Sequence, residues 1–406
     1  MSLIVQKYGG TSVGDAERIR AVADHIARTR RQGHDVVVVV SAMGKETDEL
    51  LHLADQVSRT RPGREMDMLI TAGERKATAL LTMALADLDV PAVSLTGSQA
   101  GFITDAAHRN AKILEVRGDR IRESVAAGKV PVIGGAQGVS AESRDVTFLG
   151  RGGSDTTAVA LAAVLGAEGC EIYTDVTGVF TADPKVVPDA HRLARLSFDE
   201  MLEMTATGCP KPAMRSVEFA RNHGVRLHIR SAFTWEPGTW VEEENPNMEQ
   251  AIISAVTHDM SEAKVTVSRV PDRPGIAARL FRSLADADIN VDMIVQNTSV
   301  EGTTDISFTT PKESLDRALD VARGHLAEIG GTEVSADRDV ARVSLIGAGM
   351  KTNPGVAATM FETMATNGVN IEMISTSAIR ISCVVRAGDV ELAVLALHQV
   401  FNLARS

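Results

Sequence analysis

Aromatic residues are scarce in this chain: two Trp, two Tyr and ten Phe among 406 residues, or 3%. Base stacking needs rings set in a basic surface, yet 53 Asp and Glu outnumber 42 Lys and Arg, for a formal net charge of −11. That charge excludes nucleic acid and anionic membrane as general partners. Long apolar runs are missing as well. The longest, residues 36–40 and 158–167, fall well short of the roughly 18 residues that span a bilayer. Cysteine is nearly absent, and Cys170, Cys209 and Cys383 are odd in number with no C-x-x-C spacing. Reduced thiols are the reading that follows. The ten histidines show no H-E-x-x-H or other ligand spacing, so no protein-held transition metal is expected. Residues 1–8 lack the apolar stretch and small-residue cleavage site of a secretory signal, and a cytoplasmic location is expected.

What the chain does contain is the composition of globular protein, 44% apolar and 23% charged, enough for two or three domains with substantial cores. Up to about residue 245, β-rich runs alternate with helical patterns, which predicts an α/β domain with a largely parallel sheet. Strands are predicted at 4–8, 36–40, 93–95, 130–133, 170–173 and 227–229. Helices are predicted at 16–30, where Ile19, Val22, Ala23 and Ile26 share one face, and at 66–86, 154–165 and 198–206. The valine run at 36–40 is continuous rather than alternating, as in a strand covered on both faces.

Glu236-Pro237-Gly238 and Glu242-Glu243-Glu244-Asn245-Pro246-Asn247 have the composition of a boundary. Beyond it the sequence repeats. Lys264-Val265-Thr266-Val267, Pro274-Gly275 and Ile289-Asn290-Val291-Asp292-Met293-Ile294 return as Arg342-Val343-Ser344-Leu345, Pro354-Gly355 and Val369-Asn370-Ile371-Glu372-Met373-Ile374. Pro-Gly, the asparagine and the methionine all recur at an offset of 80, so two copies of one strand, loop, helix, strand module are present.

Three glycine-bearing segments carry the candidate chemistry. Lys7-Tyr8-Gly9-Gly10-Thr11-Ser12 joins the first strand to the first helix, where bare N–H groups and a lysine suit an anion, although a glycine turn alone accounts equally for the pattern. It is not a P-loop, since Asp15 and Ala16 stand at the Lys-Ser/Thr positions, and Gly347-Ala348-Gly349-Met350 lacks the third glycine of the dinucleotide fingerprint. In Gly150-Arg151-Gly152-Gly153-Ser154-Asp155, Ser154 or Asp155 could simply cap a helix, but capping leaves Arg151 unexplained. A guanidinium there suits a carboxylate or phosphate. Tyr173-Thr174-Asp175-Val176-Thr177-Gly178-Val179-Phe180-Thr181-Ala182-Asp183-Pro184-Lys185 reads by itself as turns, and Gly73-Glu74-Arg75 as a solvated helix face.

Together with Ser41-Ala42-Met43-Gly44, these segments resemble the signature set of the aspartokinases, and the paired repeat resembles that family's tandem C-terminal ACT domains. The resemblance covers nearly the whole chain. It implies an amino-acid-kinase α/β fold, a mostly parallel sheet between helix layers over residues 1–245. Two ferredoxin-like ACT modules follow at 262–336 and 337–406, with 248–261 adding a strand to the second. The implied reaction moves the γ-phosphoryl group of MgATP to the β-carboxylate of L-aspartate, with Mg²⁺ carried by the phosphates. Such a nucleophile is already ionised at pH 7, so the absence of a general base fits.

By the same resemblance, Lys7 neutralises the transferring group, Asp155 orients Lys7, and Tyr8, Gly9, Gly10 and Ser41 face the phosphates. Thr174, Asp175, Phe180, Asp183, Lys185 and Lys211 belong to the nucleotide. Arg151 clamps a substrate carboxylate, Glu74 attracts the α-ammonium, and Thr47, Gly152, Gly153 and Ser154 complete the aspartate pocket. Effectors would bind in the ACT modules at Ile276, Ala277, Asn290, Val291, Asp292 and Gln296, with threonine the expected ligand, and at Val356, Ala357, Asn370 and Ile371. A homo-oligomer through the ACT modules is implied, with a shorter subunit from an internal start at Met248.

Two departures from the family pattern stand out. Pro210 occupies the usual lysine position, with Lys211 one step on between two prolines, and Ala378 stands where relatives carry a glutamate that could pair with a lysine effector. Two rival readings arise, an aspartate kinase of specialised metabolism with relaxed feedback and a catalytically weak amino-acid sensor.

Overall fold

The computed structural model describes residues 2–243, 253–297, 302–348, 350, 353 and 355–404. Met248, Gly349, Pro354 and most of the charged linker lie outside the described residues. The chain forms two units: residues 2–179, 192–205 and 210–243 in the first, and 180–191, 206–209 and 253–404 in the second. Among the described residues no helix is long and apolar enough to cross a membrane.

In the first unit, β1 (Leu3–Tyr8) leads through a 3-10 turn (Gly10–Val13) to α1 (Ala16–Arg31) and β2 (Asp35–Val40). The chain continues through α2 (Glu46–Val57), α3 (Gly63–Ala86), β3 (Ala92–Leu95), β4 (Phe102–Thr104), β5 (Ile113–Val116), α4 (Asp119–Ala126) and β6 (Val130–Gly134). Then come β7 (Gln137–Ser140), β8 (Val146–Phe148), α5 (Gly153–Leu165), β9 (Gly169–Thr174), β10 (Arg195–Ser197), α6 (Phe198–Ala206), α7 (Met214–His223), β11 (Leu227–Ser231) and β12 (Thr239–Glu242).

The main sheet has the order β10-β12-β11-β9-β1-β2-β6-β3 and is parallel except between β11 and β12. Val36 to Val40 are all buried, which is why their pattern is continuous. α1 starts where the Asp15 carboxylate accepts the Arg18 N–H at 2.9 Å, and it buries Ile19, Val22, Ala23 and Ile26 against Tyr8, Val38 and Tyr173. The short sheet β5-β4-β7-β8 is absent from the sequence reading, because strands of three or four mixed residues carry no clear period.

The second unit contains β13 (Ala255–Asp259), β14 (Glu262–Pro271), α8 (Ile276–Asp286), β15 (Ile294–Gln296), β16 (Thr303–Pro311), α9 (Leu315–Gly324), α10 (Leu326–Ile329) and β17 (Glu333–Asp337). It ends with β18 (Val340–Ile346), α11 (Gly355–Thr366), β19 (Met373–Thr376), β20 (Arg380–Arg386) and α12 (Val390–Val400). Two antiparallel sheets result, β15-β16-β14-β17 and β13-β18-β20-β19, one for each copy of the repeat. Residues 255–259 pair with β18 and so complete the second sheet.

The repeat places matching charges so that each module's cation reaches the other module's acid. Lys264 of β14 lies 2.8 Å from Glu372. Arg342 of β18, only 1% exposed, pairs with Asp292, the counterpart of Glu372. Arg342 also reaches Glu262 at 3.0 Å and Asp259 at 3.5 Å, and donates to the Ala206 carbonyl at 2.6 Å. Between these ion pairs Met293 and Met373, again counterparts, pack with Val340 and Val384. Stripping the cation from such a buried cluster costs about 3–5 kcal/mol, because the acids remain behind without it. Arg342→Ala should therefore lower the second unit's calorimetric transition by about 5–15 °C, whereas Arg338→Ala, at an exposed pair, should leave it within about 2 °C.

Candidate active site at the strand ends

The register of the main sheet builds the site. Tyr8 is level with Val40 on one side and Tyr173 on the other, and Val40 is level with Gly134. The loops after β1, β2, β6 and β9 therefore leave from one edge, the carboxyl end, where open α/β sheets bind ligands. Gly10 shows how closely they pack: a Cβ there would meet the Ala42 carbonyl at 2.8 Å and the Gly44 carbonyl at 3.0 Å. Only glycine fits without a shift.

Side chains alternate along β1, so Gln6 and Tyr8 face α1 while Lys7 faces α5. Lys7 Nζ lies 2.5 Å from Asp155 Oδ1, and both residues are buried. Asp155 stands in the first turn of α5, where the helix dipole favours an anion, and its second oxygen accepts the Ala213 N–H at 3.1 Å. Gly152, at φ +72, turns the chain into that helix, and a Cβ there would strike Ala213 Cβ at 2.3 Å. The α1 face is braced by Glu171. Its carboxylate accepts from Gln6 at 2.8 Å, Tyr173 at 2.9 Å and Arg230 at 3.0 Å, beneath the stacked Tyr8 and Tyr173 rings. Burial pushes the Glu171 carboxyl up, but His228, Arg230, Gln6 and Tyr173 outweigh it and bring it to about 2.

Glu74 is buried, contrary to the solvated-face reading of its segment. Its Oε2 has no partner among the described residues. Burial raises its carboxyl to about 7, against the opposing pull of its own N–H and that of Ala42, with Glu46 adding repulsion. An acidic oxygen hidden from water without a donor is costly, and it marks a place for a cation. Ser154 is buried beside Gly135, Thr47 is half-buried in the first turn of α2, and Arg151 is exposed with no ion pair among the described residues. Gly153 is buried and Gly152 exposed.

Among the residues expected to face the nucleotide, Gly9 N–H donates to the Tyr173 carbonyl at 3.2 Å and Ser41 N–H to the Tyr8 carbonyl at 3.1 Å. The loop's hydrogen bonds thus run partly to its own backbone. Thr174 is buried, and its hydroxyl donates to Asp175 at 2.8 Å. Lys211, displaced in sequence, lies 3.4 Å from Asp175. Partial burial raises the Asp175 carboxyl, but the Thr174 hydroxyl and Lys211 more than compensate and leave it lowered. Half-buried Phe180 and exposed Asp183 and Lys185 belong to the second unit, where Asp183 accepts the Lys185 N–H at 2.9 Å.

Of the effector positions, Ile276 and Val356 are buried in the cores of their modules, so only their backbone can meet a ligand. Ala277 and Ala357 are half-buried, and Asn290 and Asn370 exposed. Asn290, Val291 and Asp292 lie on the approach to β15, with Gln296 at its end. Ile371 holds the matching place before β19.

The comparisons decide the family. The model of the amino acid kinase family matches residues 2–231, and that of the ACT domain matches 265–326 and 343–401. The aspartokinase of Mycolicibacterium smegmatis is 54% identical over 99% of this chain and 97% of its own length. The chain belongs to the aspartokinase family. The aspartokinase of Corynebacterium glutamicum is 52% identical over the same shares. E. coli aspartokinase III, solved in complex with aspartate and ADP, has a TM-score of 0.84 over 98% of this chain and 99% of its own, at 23% identity, and so shares its fold.

Glu74 gives a pH prediction. A carboxyl raised on folding favours the native state at low pH, and that contribution is lost as pH rises through about 7. Glu74→Gln should thus gain thermal stability over the parent between pH 5 and 8. An ammonium held at Glu74, as the family resemblance implies, would have the opposite dependence, since only the ionised carboxylate attracts it. The kcat/KM for the amino-acid substrate should climb with pH and level off near 7 in the parent, and Glu74→Gln should lose that limb.

Proposed function

We propose that the chain joins the β-carboxylate of L-aspartate to the γ-phosphorus of MgATP, giving 4-phospho-L-aspartate and ADP. The observation that carries this reading is the buried Lys7–Asp155 pair at the sheet's carboxyl edge, together with the buried Glu74 carboxyl, whose Oε2 has no partner among the described residues. Two anions must be brought together, so the work is positioning and charge neutralisation. Lys7, oriented by Asp155, takes up charge on the phosphoryl oxygens as one P–O bond forms and the bond to ADP breaks. The Gly9–Gly10 turn and Ser41 cradle the phosphates, the magnesium arriving on the nucleotide as part of the substrate. Thr174, Asp175 and Lys211 line the nucleotide's path. Glu74 holds the α-ammonium and Arg151 a carboxylate, with Thr47 and Ser154 between them, so each charge of the amino acid has an opposite partner.

Regulation falls to the ACT modules. Threonine binds at the first, where its ammonium competes with Arg342 for Asp292. Lysine is weakened as an effector, because Ala378 lacks the carboxylate. The modules pair with a second copy to form a homo-oligomer, and the free cysteines support the cytoplasm as the site of action. A mere sensor would have no use for Lys7, Glu74, Arg151 and Asp155 together.

Incubation with MgATP, aspartate and hydroxylamine should yield the hydroxamate of the trapped acyl phosphate. Lys7→Ala should cut the rate about 10²–10³-fold, and no product above that variant would leave only the sensor. Millimolar threonine should slow the parent and lysine alone should not. An unchanged rate with both present would favour the paralogue with relaxed feedback.

A further inference from the structure

Gln137 has no part in the reading so far and no sequence signal, yet it sits against the aspartate pocket. It opens β7, in the turn that follows β6, and is 1% exposed. Its Oε1 accepts the Gly97 N–H at 3.4 Å. Its Nε2 is buried and has no partner among the described residues. That nitrogen faces Gly134: a Cβ on Gly134 would lie 2.7 Å from Gln137 Nε2 and 3.4 Å from Glu74 Cβ. The next residue, Gly135, would by the same measure lie 2.5 Å from Ser154 Oγ. Gln137 Nε2, a buried donor without a partner, and the Cβ of Glu74, whose Oε2 is likewise buried without one among the described residues, thus flank one glycine at the carboxyl edge of the sheet.

A buried amide N–H without an acceptor is expensive, and two such groups of opposite sense around one point define a ligand of opposite sense. An α-amino acid presents its ammonium and α-carboxylate on the same carbon. A site that takes the ammonium on Glu74 therefore needs a carboxylate donor close by, and a neutral amide provides one without cancelling the Glu74 charge. We propose that Gln137 Nε2 donates to the substrate α-carboxylate and so determines specificity for a free α-amino acid over its α-amide. Arg151, which is exposed, shares that carboxylate. The inference rests on the aspartate-kinase reading and goes beyond it in assigning this residue and this discrimination.

The test compares L-aspartate with L-aspartate α-amide, whose α-carboxylate is replaced by a neutral amide, by steady-state ADP release. The parent should prefer aspartate. Gln137→Met, of similar volume but without a donor, should raise the aspartate KM about 10–100-fold and change the ATP KM less than about twofold. Gln137→Glu, which turns the donor into an acceptor, should shift the kcat/KM ratio at least tenfold toward the α-amide. A structural role would depress both substrates equally, so equal losses, or an unchanged aspartate KM in Gln137→Met, overturn the proposal. Thermal melts of both variants identify a folding defect, and the ratio from Gln137→Glu remains decisive even if the methionine variant is unstable. A parent enzyme inactive on aspartate would instead sink the kinase reading, and the two failures stay distinct.

Discussion

A lysine and an aspartate held out of water within 2.5 Å of each other are the constraint around which the first unit is arranged. Removing two ions from solvent costs several kcal/mol each, and attraction repays this only when geometry is held tightly. β1 supplies Lys7 in the middle of a parallel sheet, so its backbone cannot drift. α5 supplies Asp155 from a first turn whose dipole already favours negative charge. The glycines on either side allow strand end and helix start to approach without side chains intervening. The pair leaves the ammonium partly neutralised yet still with donors to spare, which suits the phosphate role proposed for Lys7.

The surroundings of Gly134 follow a different rule. Lys7 has its counter-ion within the protein, whereas Glu74 Oε2 and Gln137 Nε2 have no partner among the described residues. Unsatisfied groups of this kind store free energy that a fitting ligand releases. The proposed site would thus take a phosphate through charge and an amino acid through hydrogen bonds waiting to be completed.

Much of this architecture could be read from the chain, and the rest is hidden for identifiable reasons. The valine run at 36–40 announced a central strand because both of its faces are covered, and the repeat announced two similar modules because Pro-Gly, Asn and Met keep one offset. Glu74 could not be placed by itself. Beside Arg75 on a helix it looks like surface, and only the approach of α3 to Ala42, permitted by Gly73, buries it. Gln137 sits in a strand too short for any period to show. The exchange of Arg342 with Asp292 and of Lys264 with Glu372 joins residues 50 and 108 positions apart, and no local pattern carries such separations. Lys211 looked misplaced because sequence offsets count residues, whereas its ammonium reaches Asp175 on a long side chain.

The second unit recruits residues from well before the linker. Ala182 and Val187 lie in the hydrophobic core of its second module, Val256 N–H donates to the Thr181 carbonyl at 2.8 Å, and the Thr207 and Thr257 hydroxyls are 2.6 Å apart. Severing the polypeptide near residue 245 would tear stitches from a core rather than release two finished pieces. A fragment starting downstream would leave the places of Ala182 and Val187 in that core unfilled.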